Sequence, residues 1–373
     1  MVSGRETLRG SQGSRRCLGA VSGFLLKLIR ESAGFTQVQL AEQLGVDVAS
    51  VQGWESGRRP LAALRTADLV RLRSQLRRCG AQPALLAMLD DAIQADLIIA
   101  DMVQAGGRLI EPDRHPLGAA VHHCKLTNLL TWPFTGIAPA PLRDIVTTRA
   151  RRGPVPDRPM LTEEEKIRFF DHLLVTADAN PHQPALPRRQ AIYLLGFDTR
   201  AGTAEWLRTE QLRALRDAGH TEHVPSWVLV RSSAVALAYG GDREPLRVFL
   251  RHALATDQME RANLNYWAYW VGEIDRIQVD DEFMVRVDPR GWSGTRLLGH
   301  LLELLRPGSG HAELDIHTVW ALLLAHPTLL DDHTGQRSTA ASTIDKLAAD
   351  DDLSVRARRE LSDIAYAVRL AGR

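Results

Sequence analysis

Apolar residues recur three and four positions apart along most of the chain, with hardly any two-residue alternation, so the pattern predicts helices joined by short turns. The first block places Leu25, Leu28 and Ile29 on one face. Thr36 is a good N-cap for a second helix running to Leu44, with Leu40, Ala41 and Leu44 inward, and Gly45 ends it by adopting a left-handed conformation cheaply. Ala41 is small where two helices must cross closely. Val46 turns back toward the core, Asp47 is expected to cap a third helix, and Val51 and Trp54 bury its inner side. Val48, Ala49, Gln52, Gly53 and Ser56 remain on the other side, small or neutral and not needed for that core. Such a face fits a groove.

The pattern continues after Gly57 with a helix containing Leu61, Leu64, Leu69, Leu72 and Leu76, preceded by Arg58-Arg59-Pro60. From Pro83 to Val103 a strongly apolar helix is predicted, carrying Leu85, Met88, Leu89, Ile93, Leu97 and Ile98; it reads as a dimer seam, a bridge to the rest of the chain, or internal packing. A further helix is expected from Leu117 to Leu130, stopped by Trp132-Pro133-Phe134. The Pro, Gly and Arg content of residues 149–160 marks a linker and a domain boundary. Beyond it, Thr162 and Glu165 form a capping box for a helix with Ile167, Phe170, Leu173 and Leu174 inward. Nine more helices follow near 186–197, 203–218, 226–239, 244–255, 257–275, 293–306, 312–325, 338–349 and 353–370, and only 277–287 looks extended. The class is therefore all-α, with residues 161–373 forming a helical bundle or α-solenoid-like body without a tetratricopeptide register. Trp267 and Trp270 make an aromatic stripe at helical spacing, read as core and as the first place to seek a small-molecule pocket.

Arg30, Thr36-Gln37, Leu40-Ala41, Gly45-Val46 and Trp54-Glu55-Ser56-Gly57-Arg58 occur together at fixed spacing. This set resembles the helix-turn-helix of the Xre family, the phage Cro and CI repressor type, over about 60 residues. The resemblance implies a five-helix DNA-binding domain at 20–80; the polar, basic, Gly/Ser-rich residues 1–19 before it are expected to be a disordered tail, and the apolar pattern of 81–148 after it a helical connector. The resemblance also implies that the helix from Asp47 to Ser56 lies in the major groove of double-stranded DNA and that Gln37 holds a phosphate. It further implies that Arg58 and Arg59 clamp phosphates and that Arg30 and Glu55 form a structural ion pair. The reading face departs from the family's habit of long polar side chains: it offers Val48, Ala49, Ser50, Gln52 and Gly53. Only Ser50 and Gln52 there hydrogen-bond a base edge, while Val48 or Ala49 packs on a thymine methyl.

Charge sharpens this division. Residues 1–80 hold 13 Lys or Arg against 6 Asp or Glu, a balance of +7, and the remainder carries 33 against 39, a balance of −6. A basic head on an acidic body suits a duplex-binding domain with a separate region for dimerisation, sensing or partner binding. At 373 residues the chain is too long for one small module. No apolar run approaches 18 residues and the start lacks a signal-peptide core, so a cytoplasmic protein is expected. Cys17, Cys79 and Cys124 are scattered, which supports neither disulfides nor a cysteine zinc site. His122 and His123 point to different sides of a helix, so His115, His122, His123 and Cys124 make a poor metal set. Phosphate-loop, nucleophile-elbow and His-Glu-x-x-His motifs are absent from the sequence, and the expectation is a dimeric DNA-binding transcriptional regulator, non-enzymatic and without a cofactor, whose body is open to a small-molecule or protein effector. The alternatives are an interaction scaffold with a helix-turn-helix head or an enzyme carrying a DNA-binding head.

Overall fold

Thr36 and Thr162 open their helices as their sequences require. Each side chain accepts from the backbone N–H three residues on, and Gln39 or Glu165 reaches back to the cap's own N–H. The structure is a computed structural model describing residues 18–121, 123–148, 156–179, 186–218, 224–254, 256–274, 276, 281–332 and 334–371. Among these, all regular structure is helical. The chain divides into two compact units between Phe197 and Asp198.

The first unit begins with α1 (Ala20–Ser32), α2 (Gln37–Leu44), α3 (Val48–Glu55), α4 (Thr66–Arg78) and α5 (Pro83–Ala87). Their core is Leu25, Leu28, Ile29, Leu40, Ala41, Val51, Leu61, Leu72 and Leu76. Gly45 sits at φ 65° between α2 and α3, as the turn demands. Asp47 takes the N-cap backbone conformation of α3, but its side chain makes no capping bond. Gly23 allows α1 to lie directly on the end of α3: a Cβ there would stand 2.3 Å from the Trp54 carbonyl oxygen.

The apolar run from Pro83 to Val103 is not one helix. It breaks at Met88 into α5 and α6 (Leu89–Ala105). α6 packs against α1, α7 (Cys124–Thr135) and α9 (Glu163–Asp178), so its apolar face is used inside the unit. Small residues carry much of that face: Ala92, Ala95 and Ala100 are buried with Ile99 and Met102, whereas Leu97 points outward. Pro133 lies within the last turns of α7 and does not stop it at Trp132, which is fully buried edge-on to Phe24. α7 itself starts at Cys124, after a separate 3₁₀ segment at Pro116–Ala120.

α8 (Arg143–Thr148) follows; of the expected linker, residues 149–155 lie outside the described residues, as do 1–17 of the expected tail. α9 then packs back on α6 and on α10 (Leu186–Leu195), so the first unit continues past 149–160 to Phe197. Within α9, Phe169, Phe170 and Leu173 are buried, and Ile167 is exposed because it falls on the outer side of the turn.

The second unit is a succession of helices: α11 (Ala201–Ala218), α12 (Val224–Tyr239), α13 (Glu244–His252), α14 (Asp257–Val271), α15 (Phe283–Arg286), α16 (Thr295–Leu304), α17 (Ala312–Ala325), α18 (Leu329–Asp332), α19 (Thr334–Leu347) and α20 (Val355–Leu370). Neighbours along the chain pack in pairs, with α11 on α12, α12 on α13, α16 on α17 and α19 on α20. The stretch read as extended contains the short helix α15, and its residues 277–280 lie outside the described set. Trp267 packs in the core with Leu298, Leu301 and Leu322. The Arg231 guanidinium lies 4.1 Å from the Tyr266 ring centroid and 5.1 Å from that of Trp267, a cation–π stack inside the body.

Candidate nucleic-acid interface

Four polar side chains connect the interior of the head to its surface. Arg30, at the end of α1, donates through Nε to Glu55 Oε1 at 2.5 Å and through Nη2 to Glu55 Oε2 at 3.1 Å. Both side chains are almost wholly buried, at 9% and 4% exposure. Arg30 Nη1 also donates to the Phe35 carbonyl at 2.8 Å, which fixes the chain entering α2. Burial works against the Arg30 charge, but the bond to Glu55 and its charge outweigh it, and the guanidinium pKa stands above its ordinary value.

Glu55 Oε2 accepts a second donor, Gln37 Nε2, at 2.8 Å. Gln37 Oε1 in turn accepts from Gln52 Nε2 at 3.4 Å. Gln37 occupies the first position of α2, where backbone N–H groups lack helical partners and the helix dipole favours an anion. The ion pair thus orients the side chain at the start of α2 and, through it, Gln52 on the exposed side of α3.

The remaining sequence-predicted residues fall into two groups. Ala49 and Gln52 are exposed and Val48 and Ser50 half-buried, all reachable from outside along α3. Gly53 is buried and cannot be part of an open reading face: the stem of Arg59 covers it. Arg58 is exposed, with Nε donating to Ser56 Oγ at 3.2 Å. Arg59 folds back on α3, and its Nη1 donates to Ser50 Oγ at 2.8 Å. Nothing in the spacing of the sequence signals that return.

Sequence reading also missed Asp96. Gly19, the N-cap of α1, has no side chain to offer; Asp96 of α6 takes over that task, accepting from the N–H of Val21 at 2.7 Å and of Ser22 at 2.9 Å. Burial pushes its carboxyl up to about 7, against the pull of the bonds to Ser22 and Val21. A residue 75 positions away therefore closes the start of the first head helix.

The described His and Cys candidates are not grouped to hold a metal. The His115 and His172 rings meet edge to edge, nearly coplanar, with their Nε2 atoms 3.1 Å apart, while His123 caps α7 by accepting from the Leu126 N–H at 3.3 Å. Burial pushes the Cys124 thiol up to about 12, and His122 lies outside the described residues. Among the described residues no group of three or more His, Cys, Asp or Glu is placed to hold a metal ion.

A short capped helix, a glycine turn and a second helix with one buried and one accessible side make the head a helix-turn-helix domain, the class of fold used to place a helix in duplex DNA. A family model described as a helix-turn-helix domain matches residues 23–89, the greater part of α1 through the start of α6. No curated protein and no solved structure matches the chain. No helix among the described residues is long and apolar enough to cross a membrane.

Proposed function

We propose that this chain is a sequence-specific, DNA-binding transcriptional regulator of the Xre type that catalyses no reaction. The observation that carries the reading is the Arg30–Glu55–Gln37–Gln52 chain, which ties the start of α2 and the outer side of α3 into one surface. On a duplex, α3 lies in the major groove, and Gln37 and Arg58 contact phosphates on either side of it. Val48, Ala49, Ser50 and Gln52 face the bases. Gln52 and Ser50 supply hydrogen bonds, and Val48 or Ala49 meets a thymine methyl.

Few such contacts arise from one head, so the regulator works as a cytoplasmic homodimer on an inverted repeat, each subunit reading a half-site. The apolar side of α6 is occupied within its own unit, which leaves the seam to other surfaces, the body among them. The helical body serves dimerisation and the binding of a small-molecule or protein effector.

Duplex affinity measured against salt tests the proposal. Log Kobs should fall against log salt with a slope of several units, because neutralised phosphates release counterions. Footprinting with sedimentation should find a dimer over two half-sites. A flat salt response overturns DNA binding, and a monomer protecting one asymmetric site overturns the dimer.

A further inference from the structure

Arg59 is exposed, but its side chain folds back along α3 instead of reaching away from it. Its main-chain N–H donates to the Gly53 carbonyl at 2.9 Å, turning the chain back over the end of α3. Its stem then lies on Gly53, so closely that a β-carbon at that position would stand 3.0 Å from both Cγ and Cδ of Arg59. One turn further along, Nη1 reaches Ser50 Oγ at 2.8 Å. The side chain therefore runs along the flank of α3 from its last turn toward its first, the end by which a recognition helix meets base edges.

This placement explains the reading face. α3 has no arginine or lysine of its own, and Gly53 costs the helix about 1 kcal/mol relative to Ala. Without that glycine the stem has no bed. With it, a long forked donor set is laid over Gly53 and beside Ser50 from outside the helix.

We infer that Arg59 is a specificity-determining residue that reads a guanine in the major groove, with Gly53 and Ser50 as the positioning residues that hold it there. The inference rests on the DNA-binding reading above. Only Nη1 is engaged by Ser50, and the guanidinium's other edge, Nε with Nη2, has the two parallel donors that match guanine O6 and N7. A side chain already fixed along α3 loses less freedom on binding than one free in solvent. A phosphate clamp needs neither the glycine bed nor the serine anchor.

The experiment selects sites for the full-length protein from a random duplex library, then titrates the selected site and its single-base variants at several salt concentrations. The wild type should require a G·C pair at one position of each half-site, by roughly tenfold over the other pairs. Arg59→Lys keeps the charge but not the fork, so it should lose that preference while retaining the other positions and the salt slope. Gly53→Ala should weaken the same preference by lifting the stem, and Ser50→Ala should do so to a lesser degree. If Arg59→Ala instead lowers affinity for all sequences by one factor and reduces the salt slope by about one unit, Arg59 is a phosphate contact and the inference is wrong. If the wild type shows no salt-dependent duplex binding at all, the DNA-binding reading falls and this inference falls with it, a result distinct from the uniform loss.

Discussion

Replacing Glu55 with Ala tests the centre of the head. The substitution removes both acceptors of the Arg30 fork, at 2.5 and 3.1 Å, and the acceptor of Gln37 at 2.8 Å. Arg30 keeps the Phe35 carbonyl and a 3.3 Å bond to Glu31, but its guanidinium, 9% exposed, has lost the buried charge that balanced it. Breaking one partner of such a pair costs about 3 kcal/mol or somewhat more. That corresponds to roughly two decades in the local opening equilibrium, since about 1.4 kcal/mol is tenfold. Amide hydrogen exchange of the full chain, read by mass spectrometry, should show peptides within 20–57 exchanging on the order of a hundredfold faster. Peptides from 198–373 serve as the reference and should not change. Duplex affinity should fall too, because Gln37 is no longer held. A Glu55→Ala protein whose head peptides exchange at the wild-type rate would refute the reasoning.

Two other perturbations probe what holds the head and its neighbour. Asp96→Ala takes away the acceptor shared by the Val21 and Ser22 N–H groups and should cost about 1–2 kcal/mol, the usual loss for a helix cap; exchange at the start of α1 should rise roughly tenfold, and unchanged protection there would show that Asp96 is not the cap. The His115–His172 pair gives an acid dependence. His115 Nδ1 accepts from the Leu117 N–H and His172 Nδ1 donates to the Gly106 carbonyl, so His115 Nε2 carries the proton that faces His172 Nε2 and Thr176 Oγ1, and a second proton would set two N–H groups against each other. Burial, with His172 adding to it, lowers His115 to about 4, and burial lowers His172 as well. Both folded values lie below the ordinary 6.5. The neutral pair therefore contributes its full stability above about pH 6.5 and loses it as pH falls from there toward 4. Peptides covering 106–118 and 163–178 should lose protection across that window once intrinsic exchange is corrected for, and a flat profile would contradict the assignment.

The parts of this fold that were legible in the sequence are the local ones. Thr36, Leu40, Ala41, Leu44 and Gly45 specify a cap, a buried face and a stop within ten residues, and the structure places them so. Part of the all-helical body was legible for the same reason, as in α13 with Leu246, Phe249 and Leu250 and in α16 with Leu297, Leu298, Leu301 and Leu302, whereas α12 and α17 are buried nearly all round. What escaped depends on distance along the chain or on residues too small to register in a pattern. Asp96 looks like an ordinary acid on a helix until α6 brings it to α1. The α6 face was misdrawn because Ala92 and Ala95 do its packing and Leu97 does not. Gly53 looked like a gap in the reading face, and only the return of Arg59 shows what fills it. The Pro- and Arg-rich segment looked like a boundary because composition reports exposure, not which helices meet beyond it; α9 returns to α6.

The capping of α1 from α6 also bears on synthesis. During translation the residues of α1 to α4 emerge first and contain the whole helix-turn-helix pattern, yet the start of α1 has no partner for its N–H groups until Asp96 has been made. At 5–20 residues per second, Asp96 follows residue 80 by roughly 1 to 3 s. For that interval the nascent head has α3 but an uncapped start of α1, at the end that lies against Trp54 and Gly57. The head is completed by a residue outside its own pattern, so a gene fusion or truncation joined at residue 80 inherits the nascent form permanently.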